Sequence, residues 1–185
     1  MAGDGTLSRI SGMPLTGLAG IESCSAGGNK LAVLDENHHS MRTYVIGADG
    51  TLTPPAGKPV RIAGGGKLYF CTTTANGAFV LTGDFAKGRN VYAYRIDATT
   101  ARLKRAGSMK LKIKDADGGI SVASNGLVAA FASGGTKDMQ ILALNEKGKL
   151  LKRGKGQSSG LTHVTTHAWS PDGTLLVASS ATNGE

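Results

Sequence analysis

The sequence lacks any long apolar segment. No run approaches the roughly 18 residues that a helix needs to cross a bilayer, so no membrane-spanning segment and no membrane partner are predicted. Residues 1–15 lack both the basic start and the apolar core of a secretory signal. These absences predict a cytoplasmic protein, with an organelle matrix as the alternative location.

Cysteine is also scarce. The chain contains two, Cys24 and Cys71, which is too few for the disulfide framework of a small secreted domain. Each lies in a segment that we predict to be an inner strand, and a free cysteine in such a position is usually buried. The sequence therefore predicts two buried, reduced thiols.

The motifs of common catalytic and cofactor sites are missing. Gly64-Gly65-Gly66 lacks the downstream Lys-Ser/Thr and the helix of a phosphate-binding loop, and we interpret it as a connection between repeats. His38 and His39 are adjacent, so on a strand they would point to opposite faces, and no third metal ligand is evident. We find no nucleophile elbow, paired-histidine zinc motif or dinucleotide fingerprint. The sequence thus predicts no cofactor and no metal, and leaves enzymatic activity undecided.

Glycine, by contrast, is abundant, with 28 residues against 5 prolines. Scattered glycine predicts many tight turns between short strands. Four turn dipeptides recur at intervals of 47 to 49 residues, namely Gly27-Gly28, Asn76-Gly77, Asn125-Gly126 and Asp172-Gly173. Asn-Gly and Asp-Gly suit type I′ turns, because both central residues of that turn need a positive φ.

Each repeat contains four predicted strands. Strand A precedes the glycine turn and strand B follows it. Strand C is an apolar or aromatic run such as Tyr92–Ile96, and strand D follows a polar turn and begins near a leucine such as Leu103. Four antiparallel strands in 45 to 50 residues are typical of a propeller blade, and no long window has helical periodicity. We predict an all-β fold, a β-propeller built from four-stranded antiparallel blades.

The predicted propeller is an incomplete ring. Residues 1–185 form a single partial propeller of about three and a half blades. The predicted parts are a lone outer strand at residues 4–10, whole blades at about 20–60, 68–113 and 118–153, and a half blade at 161–185. Because a ring needs typically four to eight blades and an open arc leaves strand edges bare, we expect additional blades or a protein partner to complete it.

Three segments resemble a known group of propellers. Ser170–Ala178 resembles the inner hairpin of WD40-like and lactonase-like propellers. Asn90–Asp97, with Leu103 after the turn, resembles the lactonase-like pattern of valine, tyrosine, an apolar residue, aspartate, a turn and leucine, as does Tyr44–Leu52. The Gly-His and Trp-Asp dipeptides of a typical WD40 blade are missing, and Trp169 is followed by serine. The resemblance to the seven-bladed lactonase-like group implies a hydrolase of sugar lactones, of the 6-phosphogluconolactonase type, but no catalytic motif can be matched here.

Basic residues concentrate in strand D of two neighbouring repeats, and the formal net charge is +8. Lys110, Lys112 and Lys114 alternate with apolar residues and so share one face of a strand. The predicted basic rim comprises Arg102, Lys104, Arg105, Lys110, Lys112, Lys114, Lys149, Lys152, Arg153 and Lys155. Such a rim suits an acidic protein or another anionic partner, although lysines also protect outer strand edges from aggregation. The rim also suits the phosphate backbone of a nucleic acid, but no aromatic residues interleave with the lysines for base stacking on single strands.

A second group of candidates lies on strand A of the last repeat. His163, His167 and Trp169 share one face at strand period, and strand A lines the channel of a propeller, where they could contact a ligand. The alternative is a structural contact with a neighbouring blade. Near the turns of the second repeat, Asp84, Arg89 and Asp97 could form a pocket or cap the turns.

Two functions follow from these observations. The first is a propeller scaffold or interaction module that holds a protein or anionic partner against the basic rim. The alternative is the lactonase-like hydrolase that the resemblance implies. The charge and the missing catalytic motifs favour the first hypothesis, and the resemblance alone favours the second.

Overall fold

The computed structural model describes residues 20–35, 37, 39–55, 57–62, 70–84, 89–113, 119–132, 137–161 and 164–180. These residues form strands and turns, and none of their segments is a helix that could span a membrane. The predicted lone strand at residues 4–10 lies outside the described residues. The strands are β1 (Ile21–Gly27), β2 (Lys30–Asp35), β3 (Ser40–Ile46), β4 (Leu52–Thr53), β5 (Val60–Arg61), β6 (Cys71–Thr73), β7 (Phe79–Asp84), β8 (Asn90–Ile96), β9 (Leu103–Lys110), β10 (Gly119–Val122), β11 (Leu127–Phe131), β12 (Met139–Leu144), β13 (Leu150–Lys152), β14 (Val164–Trp169) and β15 (Leu176–Ser180).

The strands form four antiparallel sheets that follow one another along the chain, and we name them blades 1 to 4. Blade 1 holds β1 to β4 in order, with β5 also paired to β3; blade 2 holds β6 to β9, blade 3 holds β10 to β13, and blade 4 holds β14 and β15. The all-β architecture of four-stranded antiparallel blades is confirmed. The sequence did not predict that β5 would join β3 beside β4.

The turns between strands A and B lie where the sequence placed them, but the predicted turn type is wrong. Gly77 has a φ of +68°, whereas Asn76 is not among the residues with positive φ, as a type I′ turn would require. Instead, Gly77 N–H donates to the Thr74 carbonyl over 2.8 Å, and Asn76 Oδ1 accepts from Ala78 N–H over 3.0 Å. This is a type I turn followed by a left-handed glycine. The Asn76 side chain thus bonds to the backbone two residues later, as Asn commonly does in turns.

Neighbouring blades pack face to face around their inner strands. Strand β1 adjoins β6, β6 adjoins β10, and β10 adjoins β14. A separate apolar cluster fills each gap: one contains Leu34, Met41, Val80 and Tyr94, a second contains Leu81, Val128 and Leu142, and a third contains Ala129, Phe131 and Val164. Each cluster draws on two blades, so burial of apolar surface is the principal force that orients one blade on the next.

Hydrogen bonds also join the blades near their inner hairpins. Ser25 Oγ accepts from Thr73 N–H over 2.8 Å, and the Thr73 hydroxyl donates to the Ser25 carbonyl over 3.0 Å. Between blades 3 and 4, the Asn125 amide donates to the Gly173 carbonyl over 3.0 Å. These bonds join blade 1 to blade 2 and blade 3 to blade 4 beside their inner hairpins.

The arc of blades does not close among the described residues. Apolar side chains lie open at both of its ends: Ile21 of blade 1 is 58% exposed, and Leu175 and Val177 of blade 4 are 59% and 58% exposed. Cys24 is exposed as well, so the prediction of two buried thiols is wrong for Cys24 and holds for Cys71. The reason is strand alternation, because Ser23 and Ser25 point toward blade 2 and Cys24 must point to the opposite, open face.

Candidate functional site

His167 and Trp169 lie between blades 3 and 4. The rings of His167 and Phe131 have centroids 4.5 Å apart, and Trp169 packs against the cluster that contains Ala129 and Phe131. A Cβ atom added at Gly119 would come within 2.9 Å of the His167 ring. Both side chains therefore take part in contacts between blades, as in the structural alternative above. Their role as channel ligands stays a prediction, and His163 lies outside the described residues.

The imidazole of His167 is held neutral. Burial lowers the pKa of His167 to about 4, and the nearby backbone of Ile120 opposes that shift only in part. Among the described residues, neither ring nitrogen makes a hydrogen bond of normal geometry. A neutral imidazole could accept a proton or bind a metal. The described residues, however, bring no group of three or more His, Cys, Asp or Glu side chains together that could hold a metal ion.

His39, in the β2–β3 loop, takes part in the fold through a backbone hydrogen bond. His39 has a φ of +46°, and its carbonyl accepts a hydrogen bond of 2.8 Å from Ile62 N–H. This bond continues the pairing of β3 with β5. His38 lies outside the described residues, so the adjacent pair cannot be assessed as a site.

Two aspartate carboxylates accept hydrogen bonds from residues of their own turns. Asp97 Oδ1 accepts hydrogen bonds from the backbone and the hydroxyl of Thr100 at 2.7 and 2.8 Å, and these bonds lower its pKa. Hydrogen bonds from Ser170 and then from Thr174 lower the pKa of Asp172 to about 2. Both groups are ionised turn caps and are unsuited to act as general acids. Of the other candidates near the second blade's turns, Arg89 has a φ of +50°, and the side chain of Asp84 lies outside the described part.

The basic residues of the outer strands are exposed. Lys110 and Lys112 alternate with the buried Leu111, as the sequence predicted, although β9 itself ends at Lys110. Lys114 lies outside the described residues. The exposed members are Arg102, Lys104, Arg105, Lys110, Lys112, Lys149, Lys152, Arg153 and Lys155.

The two basic outer strands adjoin each other. A Cβ atom added at Gly107 of β9 would lie 2.7 Å from the Gly148 carbonyl oxygen, just before β13, so the backbones of blades 2 and 3 touch there. One of these basic residues makes its contacts within blade 2. The Arg105 guanidinium lies 4.8 Å above the Tyr92 ring and donates to Ser108 Oγ over 2.9 Å. Partner binding by these residues stays a prediction.

A cleft lies between blades 2 and 3, on the side of the blades that carries the A–B turns. We name it the turn-end cleft. Its volume is about 250 Å³, and its lining includes Asn76, Phe79, Asn125, Asn145 and Glu146. Amide and carboxylate groups beside an aromatic ring are a surface suited to a small hydroxylated ligand.

The arginine next to this cleft organises one of its walls. Arg95 donates to the Glu146 backbone carbonyl over 3.0 Å, and its guanidinium lies 4.9 Å above the Phe79 ring. Asn145 Oδ1 accepts from the backbone N–H groups of Lys147 and Lys149 at 3.0 and 2.9 Å. The sequence analysis missed this cleft because its residues come from different repeats. The sequence signal that could have indicated this cleft is the asparagine that recurs in successive turns.

Comparison with known proteins supports the fold. No family model matches the chain, and no protein with a curated description matches it. Among solved structures, a putative 6-phosphogluconolactonase from Bacteroides uniformis superposes with a TM-score of 0.71 at 19% identity, over 95% of this chain and 55% of its own. The periplasmic gluconolactonase of Pseudomonas aeruginosa gives 0.65 at 15% identity, over 85% and 46%. A protein from Lactobacillus plantarum gives 0.69 at 14% identity, over 88% and 48%.

These similarities define the architecture of the chain. It has the fold of lactonase-like β-propellers, which confirms the resemblance noted in the sequence. The chain spans about half the length of these structures, as expected for an incomplete ring. The number of blades in a complete ring and the cytoplasmic location stay predictions.

Proposed function

We propose that this chain belongs to a hydrolase that opens sugar lactones. The observation that carries the proposal is the superposition on a structure named as a putative 6-phosphogluconolactonase, over 95% of this chain, and on one named as a gluconolactonase, over 85% of it. The fold comparisons thus favour the alternative drawn from the sequence over the scaffold. Opening a lactone requires an activated water and donors that stabilise the oxyanion of the tetrahedral intermediate.

The turn-end cleft is the part of this chain that we assign to the sugar. The exposed carboxylate of Glu146 can accept hydrogen bonds from sugar hydroxyls, and the largely buried Phe79 ring lines the cleft beneath Arg95. The bond from Arg95 to the Glu146 backbone holds this wall in place before the ligand arrives. Such preorganisation reduces the entropy lost on binding.

The test is the hydrolysis of glucono-δ-lactone and of its 6-phosphate, followed as acid release at constant pH with the full-length protein. We expect faster hydrolysis than in buffer. Glu146→Gln should raise KM about tenfold, because a neutral amide oxygen accepts a weaker hydrogen bond from a sugar hydroxyl than a carboxylate does. Glu22→Gln, an exposed carboxylate of β1 outside the cleft, is the matched control and should leave KM unchanged.

Two results would contradict this proposal in different ways. A full-length protein that adds nothing to the rate in buffer would rule out the lactonase. Equal effects of the Glu146 and Glu22 substitutions would remove the turn-end cleft from the sugar site while leaving the activity in place.

A second candidate function is the binding of an acidic protein to the basic rim. The observation that favours it is the contact between the backbones of Gly107 and Gly148, which places the exposed basic residues of β9 and β13 side by side. Charges so arranged raise the association rate of an anionic partner in a salt-dependent way.

This candidate is tested with a poly-glutamate peptide at low and physiological salt. We expect binding that weakens as salt rises, and that is lost when Lys104, Arg105, Lys149 and Lys152 are all changed to Gln. Arg61→Gln, which removes an exposed charge on β5, is the control and should have little effect. Binding that is unchanged in the fourfold variant would exclude the rim.

A further inference from the structure

Blade 4 leaves one of its faces open. Leu175 and Val177 are 59% and 58% exposed, and Ala168, which pairs with Val177 across the hairpin, is exposed as well. Leu176 and Ala178 pack instead against the cluster shared with blade 3. Strand alternation explains the difference, because successive residues of a strand point to opposite faces. Blade 4 therefore has one covered and one uncovered apolar face.

The hairpin of blade 2 shows what covers the corresponding face there. In the A–B turns of blades 2 and 4, the carbonyl of Phe79 or of Leu175 accepts a hydrogen bond from the backbone N–H five residues earlier. Phe79 and Leu81 thus occupy the positions that Leu175 and Val177 have in blade 4. They are 6% and 0% exposed, because they lie in the cluster that joins blade 2 to blade 3. The open face of blade 4 is the face on which a following blade packs.

The inner strand of blade 1 leaves the complementary face open. Val33 and Thr82 are each the fourth residue after the strand B carbonyl that accepts from the end of strand C, and they pair with Cys24 and Cys71. The two cysteines therefore occupy the same position, which faces the preceding blade. Cys71 is buried in the cluster between blades 1 and 2, whereas Cys24 is exposed. Because Val33, farther out on this face, is 2% exposed, the open part is β1 itself.

A contact inside the arc shows how two such faces meet. The Cys71 thiol donates to the Ala32 carbonyl of blade 1 over 3.9 Å. Ala32 has in blade 1 the position of Leu81 in blade 2, counted from the same strand B carbonyl, and hence the position of Val177 in blade 4. Docking with this geometry would place Cys24 beside Val177. A hollow of about 120 Å³ beside Val177 leaves room for an incoming side chain.

We propose that a second copy of this chain covers the open face of blade 4 with the inner strand of its blade 1. The faces at the two ends of one chain are the two halves of the contact that recurs within the arc. The chain also spans only 46% to 55% of the three solved structures compared above, so two copies supply the length of one.

This exchange of faces is symmetric. Each copy gives the inner strand of its blade 1 and receives that of the other copy on its blade 4. Contacts between unlike faces form a closed ring when the rotation between copies closes, and an open fibre when it does not. An arc of about half the length of a propeller closes with two copies. The proposal concerns assembly and does not rest on the lactonase proposal.

Light scattering after size-exclusion chromatography tests the proposal with the full-length protein at several concentrations. We expect the mass of two chains, falling to that of one on dilution. Val177→Asp puts a charge into the contact and should raise the dissociation constant of the dimer at least about tenfold. Leu151→Asp changes another partly exposed apolar residue, on the outer strand of blade 3, and should leave the mass unchanged. Far-UV circular dichroism should show both variants folded, because both side chains are accessible to water.

A disulfide tests the geometry of the contact. Val177→Cys should form a disulfide with Cys24 of a second copy when oxidised glutathione accepts the two electrons. Denaturing electrophoresis without reductant should then show a band of two chains. The band should be absent when Cys24→Ser is added, and Leu151→Cys should not form it with Cys24.

Native Cys24 reports on the same contact. An aromatic disulfide reagent should label it quickly in dilute protein, where the copies separate, and more slowly as the protein concentration rises. The mass of one chain at every concentration would overturn the proposal, whether further blades of the same polypeptide cover Val177 or nothing does. Equal effects of Val177→Asp and Leu151→Asp, or a dimer that does not form the disulfide, would also overturn it, since the contact would then lie elsewhere.

Discussion

The imidazole of His167 stacks in a tilted arrangement on the phenyl ring of Phe131, with 4.5 Å between the ring centroids. His167 belongs to β14 and Phe131 to β11, so this pair joins the third and fourth blades. The contact also removes the imidazole from water, and it links the packing of two blades to the protonation of one side chain.

This pair predicts a stability that depends on pH. Burial lowers the pKa of His167 to about 4 from an ordinary value of 6.5. Between these values the unfolded chain binds a proton that the folded chain does not, so stability rises with pH in this window. We expect the free energy of unfolding to fall by up to about 3 kcal/mol as pH drops from 7 to 4, measured by urea denaturation. His167→Gln should lose most of this dependence.

The control for that experiment is His39→Asn, which removes another histidine and keeps a residue that tolerates the positive φ at that position. The dependence should persist in this variant. An equal pH dependence in wild type and His167→Gln would show that other groups are responsible.

A second prediction concerns the contact between the hairpins of blades 1 and 2. Gly77 has a φ of +68°, and a Cβ atom added there would lie 2.5 Å from the Gly27 carbonyl oxygen. Gly77→Ala should therefore destabilise the fold by at least about 2 kcal/mol, through backbone strain and the displaced neighbour. The urea midpoint measures the loss. Gly154→Ala, where nothing lies within 4 Å, should be nearly neutral; similar losses in both variants would contradict the packing described.

A third prediction concerns the bond that fixes blade 2 on blade 1. Ser25 Oγ accepts from Thr73 N–H over 2.8 Å, and Ser25→Ala leaves this N–H without its acceptor. We expect a loss of about 1–2 kcal/mol in the free energy of unfolding. Ser108→Ala removes a hydroxyl that bonds only to the exposed Arg105 among the bonds described, and should cost less than about 0.5 kcal/mol. A Ser25 variant as stable as wild type would mean that water replaces the bond.

The two cysteines should differ sharply in reactivity. Burial raises the pKa of Cys71 to about 12, whereas Cys24 is exposed on the open face of blade 1. Because the thiolate is the reactive form, an aromatic disulfide reagent at pH 8 should label Cys24 quickly and Cys71 only after unfolding. Cys24→Ser should abolish the fast reaction, and Cys71→Ser should preserve it. Slow labelling of Cys24 in the native protein would show that another strand covers this face.

The sequence was a good guide wherever structure is local and repeated. The Asn-Gly and Asp-Gly dipeptides located the inner hairpins because they bond to their own backbone, as Asn76 does to Ala78. The predicted turn type was nevertheless wrong, since the dipeptide alone does not distinguish a type I′ turn, with two central residues of positive φ, from a type I turn followed by a glycine of positive φ. The alternation of Lys110, Leu111 and Lys112 likewise indicated which side chains are exposed.

The amino-acid sequence by itself determined the repeat, the order of the strands and their grouping into antiparallel blades. Only the tertiary structure decided that Cys24 is exposed, that His167 is buried against Phe131, and that Arg102 lies against Gly57 in a cleft. The physical reason is that strand alternation divides side chains between two faces without deciding which face another blade covers. Clefts between blades combine residues about one repeat or more apart, and their proximity arises only when the apolar faces pack together.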